Sequence, residues 1–277
     1  MADVRPAVPR SSGKAPTNGA GALLVVEHFW TWYRRNWRAT AVSSVVQPLL
    51  FLLAFGVGFG ALLDGTGRAA EATGGVVYLV WLAPALLAVS AVQSAVFEST
   101  YPVLSGFTWQ RVYHAMTATP VTPGQIAIGH LSWIVVKMTA SGAIYIAVIA
   151  VFGGVRSPGI VVSLLAATLT GAAVASLVMA FTATVKNDGA AFNALFRFVV
   201  IPMTLFSGTF FPVDRLPGWV QPIVWASPLW HGTELARSAA LEDWRPLVAF
   251  GHLAYLAALL ALGIVLATRF FRRRLAQ

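Results

Sequence analysis

Five histidines, His28, His114, His130, His231 and His252, are the side chains best suited to acid–base work or metal binding, and none shares a metal-ligand spacing with another. Neither H-E-x-x-H nor G-x-S-x-G occurs, so metallohydrolase and serine-hydrolase chemistry lack their motifs. The phosphate loop G-x-x-x-x-G-K-[ST] is absent too; the nearest fragment, Ser12-Gly13-Lys14, lacks the upstream glycine. There is no cysteine, which removes disulfides, thiolate metal sites and thiol nucleophiles together. The residues form no catalytic or metal constellation, and the chain is expected to bind no cofactor.

What remains is a set of polar residues stranded among apolar ones. In WQRVYHAMTATPVTPGQI, residues 109–126, the side chains Trp109, Val112, Tyr113 and Met116 recur at i, i+3, i+4 and i+7. That spacing makes one apolar stripe on a short helix, with Gln110, Arg111 and His114 elsewhere around it, and Pro120 and Pro123 are expected to end it. Such a helix suits a lipid surface or a partner protein, and spacing alone does not choose. Lys137 lies near the middle of a long apolar run, where an unpaired lysine costs about 2.5–3.5 kcal/mol. It either faces a translocation path, where it could meet an anionic cargo group, or pairs with a polar residue of a neighbouring helix. Arg197 lies nearer the end of another run and could also snorkel to headgroups. Glu98, Lys186 and Asp188 stand where runs end, as salt-bridge candidates or as plainly exposed charges.

The elements that must hold these residues follow from composition. Of 277 residues 57% are hydrophobic and only 10% charged, with a mean hydropathy of +0.73, against roughly 25% charged residues in a soluble domain. Six apolar runs are long enough to cross a bilayer: about 40–63, 76–97, 126–152, 160–185, 189–211 and 247–270. Residues 1–22, rich in Pro, Gly and Ser and without an apolar core, read as a disordered tail. The next segment carries Val26, Phe29, Trp30, Tyr33 and Trp37 at helical spacing with Arg34, Arg35 and Arg38, which suits an amphipathic helix at an anionic interface. Twelve Lys and Arg fall on one side of this topology: three in the tail, three at 34–38, Arg111, Lys186 and four in 269–274. Only Arg68, Arg156, Arg215, Arg237 and Arg245 fall on the other, so both termini are expected in the cytoplasm. The 98–125 loop is then cytoplasmic. Gly56 and Gly60 fit a small-xxx-small contact, within one chain or between two. Segment 212–241 carries Pro212, Pro217, Pro222 and Pro228 with Trp219, Trp225 and Trp230, which excludes a single straight helix and favours a membrane interface. An outer gate there would draw on Phe210, Phe211, Trp219, His231 and Glu234, although His231 and Glu234 could equally be exposed caps.

The run FESTYPVLSGFTWQRVYHAMTATPVTP, residues 97–123, resembles the signature after the second span of type-2 ABC exporter permeases, especially the nodulation-factor and daunorubicin-type branch. The run FSGTFFPVDRLPGWVQPIVWASPLWHGTELAR, residues 206–237, is similar to that family's segment after the fifth span. The resemblance covers residue 26 to the C-terminus. It implies an all-α polytopic membrane protein: one domain over 23–277, six spans, a cytoplasmic coupling helix and an external re-entrant helix pair. It also implies a dimer of permease chains in the bacterial cytoplasmic membrane, with two ATPase subunits that bind ATP and Mg. Trp109, Val112, Tyr113 and Met116 would then be packing anchors on the ATPase, beside Arg111 and His114. Gly56 and Gly60 would lie where first spans approach the dimer partner. Membrane lipids are the other partner, and nucleic acid is not one. The implied activity is outward movement of an amphiphile such as a drug, a lipid-linked saccharide or a glycolipid. A secondary transporter would want intramembrane carboxylates, and a lipid-modifying enzyme would want clustered His, Asp or Glu; the six runs supply neither.

Overall fold

A computed structural model describes residues 17–60, 73, 75–186 and 189–276, and among them the chain is helical with no strand. Helix α1 (Asn18–Phe51) continues into a π-helix over Leu52–Phe59. The expected boundary near Thr40, between an interface helix and a first span, does not exist. From Leu23 to Gln47 there is neither proline nor glycine to break the hydrogen-bond ladder. Next come α2 (Tyr78–Ser99), α3 (Tyr101–Phe107), the short α4 (Val112–Thr117), α5 (Pro123–Val151) and α6 (Ile160–Thr182). Helices α7 (Ala190–Leu195) and α8 (Ile201–Phe206) are joined by a π-helix, Phe196–Val200. Pro202 explains that junction: it offers no N–H to the carbonyl four residues back, and the preceding ladder widens. After a 3-10 turn at Val213–Arg215, α9 (Gln221–Trp225), α10 (Pro228–Leu241) and α11 (Pro246–Leu275) complete the chain.

Four helical stretches are long and apolar enough to cross a membrane: Tyr78–Phe107, Pro123–Val151, Ile160–Thr182 and Pro246–Leu275. They coincide with the second, third, fourth and sixth runs read from the sequence. The first run falls on the end of α1, its π-helix and residues outside those described; the fifth falls on Ala190–Phe206, a shorter apolar helix. Proline has a different role at α5 than expected. Pro123 is the first residue of α5, and Thr122 and Gln125 form a reciprocal capping box: the Gln125 N–H donates to Thr122 Oγ1 and the Thr122 N–H to Gln125 Oε1.

Helix α2 is the centre of the bundle. Its buried Ala83, Ala85, Ala88, Ala91 and Ala95 and the Gly171–Ser176 stretch of α6 let backbones approach closely, as membrane helices require. Thr182 meets the end of α2 at Ser99, and Gly171 meets Ala91, so α2 and α6 run in the same direction. Lys137 of α5 faces Glu98 and Tyr145 faces Ala83, so α5 runs against α2. The bundle therefore has two ends, one carrying α4 and the start of α5, the other carrying α9, α10 and the start of α2.

The first half of α1 lies along the first half of α5. A Cβ on Gly129 would come within 2.6 Å of the Ala22 carbonyl and of Val25, and the Phe29 and His130 rings are 4.4 Å apart. Tyr33 and Trp133 of α5 meet edge-on at 5.4 Å. The segment is thus a splint on α5 rather than a separate surface helix, although Trp30, Trp32, Arg34 and Arg35 still face outward.

Helix α11 buries one stripe, His252, Leu256, Gly263, Ala267 and Phe271. A Cβ on Gly263 would stand 2.0 Å from Ser176 Oγ and 3.0 Å from the Leu177 nitrogen, whereas one on Gly251 meets nothing within 4 Å. Gly263→Ala is expected to cost about 1–3 kcal/mol by overpacking, and Gly251→Ala to be neutral or slightly stabilising. Thermal unfolding of the two variants in detergent checks this, and equal behaviour would contradict the packing.

Candidate functional site

At the α4 end, the expected four-residue stripe is divided between two environments. Arg111 takes the left-handed conformation (φ 52°), so the helix starts only at Val112. Trp109 is left in the preceding turn, 61% exposed, with Arg111 and His114 exposed beside it. Val112 and Met116 are half-buried. Tyr113 is 1% exposed and points inward. Its ring meets Phe107 at 4.8 Å and Phe271 at 5.5 Å, and its hydroxyl shares a 2.5 Å hydrogen bond with His130 Nδ1. Burial pushes the Tyr113 phenol well above its ordinary pKa, so it stays protonated and able to bond.

The same contacts tie the neighbouring helix ends together. The Arg274 guanidinium lies 4.3 Å over the Phe107 ring and donates to the Thr182 carbonyl at 2.9 Å. The Thr182 hydroxyl donates to the Ser99 carbonyl at 2.8 Å. Helices α2, α3, α4, α5, α6 and α11 thereby meet in one knot, with α1 joined through Phe29 and His130. One step along the bundle, Lys137 Nζ donates to Glu98 Oε1 at 2.6 Å and lies 5.5 Å from the Tyr33 ring. Lys137 is central in α5, yet its partner is the penultimate residue of α2, so the first half of α5 extends past the end of α2. Glu98 pairs with Lys137; Lys186 is exposed, and Asp188 lies outside the described residues. Arg197 is exposed on the π-helix between α7 and α8.

The α10 end has its own centre, Arg237, which in the sequence is only one loop charge among five. Its buried guanidinium stacks 3.7 Å from the Trp81 ring and donates to the Gly208 carbonyl (2.9 Å), the Glu234 carboxylate (3.1 Å) and the Trp81 carbonyl (3.4 Å). The Tyr78 hydroxyl donates to the Phe210 carbonyl at 2.9 Å, and the Phe210 ring meets Phe55 at 4.9 Å. His231 stacks on Tyr255 at 3.9 Å, with Nε2 2.9 Å from the Trp225 carbonyl and Nδ1 2.7 Å from Nδ1 of His252. A carbonyl only accepts, so Nε2 of His231 carries the hydrogen and, in the neutral pair, Nδ1–H of His252 donates to Nδ1 of His231. Phe211 and Trp219 are exposed. Gly60 lies against Tyr78, and Gly56 sits in the π-helix that ends α1. Sequence reasoning misses Arg237, Trp81, His252 and Tyr255; the i, i+3 spacing of Glu234 and Arg237 is the one local signal for them.

A family model described as ABC-2 type transporter matches residues 22–241. The chain belongs to the ABC-2 type transporter family. It is 32% identical to Nodulation protein J of Rhizobium meliloti (strain 1021), over 89% of this chain and 94% of that protein. Nodulation protein J of Rhizobium leguminosarum bv. viciae is 31% identical, over 94% and 97%. The Daunorubicin resistance ABC transporter permease protein DrrB1 of Streptomyces coeruleorubidus is 24% identical, over 82% and 78%. ABC-2 permeases are transport subunits rather than enzymes, and a separate partner hydrolyses ATP. Family and long apolar helices together make this a multi-pass protein of the cell membrane.

In this ABC-2 permease, Arg237 holds the irregular 207–212 backbone against α2, so its removal should loosen that segment. Thr209 is fully buried without a hydrogen-bond partner among the described residues, and the chain has no native cysteine. Thr209→Cys should react slowly with a maleimide, and at least tenfold faster when Arg237→Ala is added. An unchanged rate would contradict the role of Arg237.

Proposed function

We propose that this chain is the transmembrane permease subunit of an ATP-driven exporter that moves an amphiphile outward. The observation that carries the reading is the division of labour at α4. Trp109, Arg111 and His114 are available to a partner, while Tyr113 fastens the same segment to the knot of helix ends. A contact made on this surface is mechanically connected to α5, α6 and α11. The absence of a phosphate loop in the chain makes the partner the site of ATP and Mg binding.

On this reading one domain with six crossings begins at residue 18 and not at 23, because the tail boundary expected at 22 falls within α1, whose Ala22 packs against Gly129. The end of α1 with its π-helix and the α7–α8 segment supply the two crossings beyond the four long helices, and both termini are cytoplasmic. Loop 98–125 faces two ATPase subunits, and a second copy of the chain completes the pathway. Arg34, Arg35 and the Lys137–Glu98 pair lie at one level of the bundle, which suits the cytoplasmic headgroup layer. Lys137 is accordingly a strut between α2 and α5, not a cargo contact. Segment 212–241 forms the outer re-entrant pair, α9 and α10, with Phe210, Phe211, Trp219, His231 and Glu234 near the exit. Relatives named for nodulation and for daunorubicin resistance support a drug, a lipid-linked saccharide or a glycolipid as cargo.

The surface is tested by charge. Trp109→Asp with His114→Asp should reduce copurification of the partner ATPase at least tenfold in detergent, while the thermal midpoint of the permease stays within a few degrees. Undiminished copurification would remove α4 and its preceding turn as the docking surface.

A further inference from the structure

Helix α4 has six residues, fewer than two turns, and a helix that short does not hold its place through its own hydrogen bonds. Tyr113 is its one buried residue. The slot that receives Tyr113 is built by other elements. Gly106 of α3 is its floor, where a Cβ would come within about 2.5 Å of the ring. Phe107 and Phe271 are its walls, and His130 of α5 closes it. His130 is held from behind by Phe29 of α1.

Ring packing fills this slot but has little direction: a phenyl group can tilt or slide between aromatic walls with small loss. The hydrogen bond between the phenol and the imidazole is the directional contact in an otherwise apolar slot, and its imidazole side is fixed to α5. We infer that the Tyr113–His130 hydrogen bond is the positioning contact that makes α5 follow α4, so that displacement of the coupling segment reaches the spanning helices. The inference rests on the reading of α4 as the ATPase contact. Tyr113 itself touches neither ATPase nor cargo; it acts through His130. With phenylalanine in its place, the ring would still fill the slot, and α4 could shift without carrying α5.

A structural role and a positioning role are separated by a pair of variants. Tyr113→Phe leaves the His130 nitrogen buried and unpaired, so lost stability could mimic lost coupling. Tyr113→Phe with His130→Leu removes both partners, which leaves no polar group unsatisfied and restores stability, but it has no hydrogen bond. Gly218 lies at the α10 end, where an added side chain meets nothing within 4 Å, and the chain has no native cysteine. Full-length Gly218→Cys permease is labelled with an environment-sensitive fluorophore and then reconstituted in lipid with its ATPase partner. ATP with vanadate is the trigger, and ATPase association is measured on the same samples.

The parent should bind the ATPase and show a fluorescence change with ATP and vanadate. Both Tyr113→Phe and the double variant should bind the ATPase within twofold of the parent and show a change at least fivefold smaller. A parental change in the double variant would overturn the inference, because stability alone would then account for Tyr113. Failure of the parent to bind the ATPase would overturn the underlying functional reading and the inference with it, and the association measurement distinguishes that result from the former.

Discussion

A carbonyl in the last turn of a helix or on irregular backbone has no partner within a helix, and in an apolar bundle no water replaces it. Much of this structure follows from how side chains meet that need. At the α4 end, Arg274 serves Thr182 and Thr182 serves Ser99, each the last residue of its helix. At the α10 end, Arg237 serves Gly208 and Tyr78 serves Phe210, both on irregular backbone, and Ser157 serves Ala240 in the last turn of α10. Each bond crosses between elements, so satisfying backbone also fixes how helices sit relative to one another.

The two ends solve the problem differently. The α4 end is aromatic and compact, with Phe107, Tyr113, Phe271, His130 and Phe29 packed ring on ring around one polar contact. Such a cluster moves as a unit when its one polar contact, between Tyr113 and His130, fixes the ring that packing alone would let slide. The α10 end is held by point contacts, the Arg237 guanidinium on the irregular backbone at Gly208 and the His231–His252 pair between α10 and α11. Its bonds can be exchanged one at a time, which on the proposed reading suits an opening segment. On the proposed reading, a rigid input at α4 and a separable output at α10 suit a chain driven from one end.

The four long helices were legible because their runs are long and apolar, and the breakers inside them, Pro84 of α2 above all, do not outweigh that signal. The α1 boundary was misplaced because the 37–46 stretch changes polarity without changing backbone preference; composition reports what surrounds a helix and not where it stops. At α4, periodicity assumed the helix began before Trp109, whereas Arg111 interrupts the backbone with a positive φ that no spacing rule registers. Tyr113 consequently turned inward, and its partner His130, 17 residues on, has no local signature. Lys137 was legible as a residue in need of a partner, and Glu98 as a charge at a helix end; only packing brought them together. Arg237 was hidden by being one positive charge among several on its side of the topology. Its significance lies in Trp81 and Gly208, 156 and 29 residues away in the chain.

On this reading, the α4 surface is where ATP hydrolysis by another protein enters this one. The most direct measurement is a photoreactive amino acid in place of Trp109, activated in living cells, with the adducts identified by mass spectrometry. The predicted adduct joins this chain to a protein that carries G-x-x-x-x-G-K-[ST], and its yield changes when the cells are depleted of ATP. Adducts to lipid or to the chain itself, with none to such an ATPase, would contradict it.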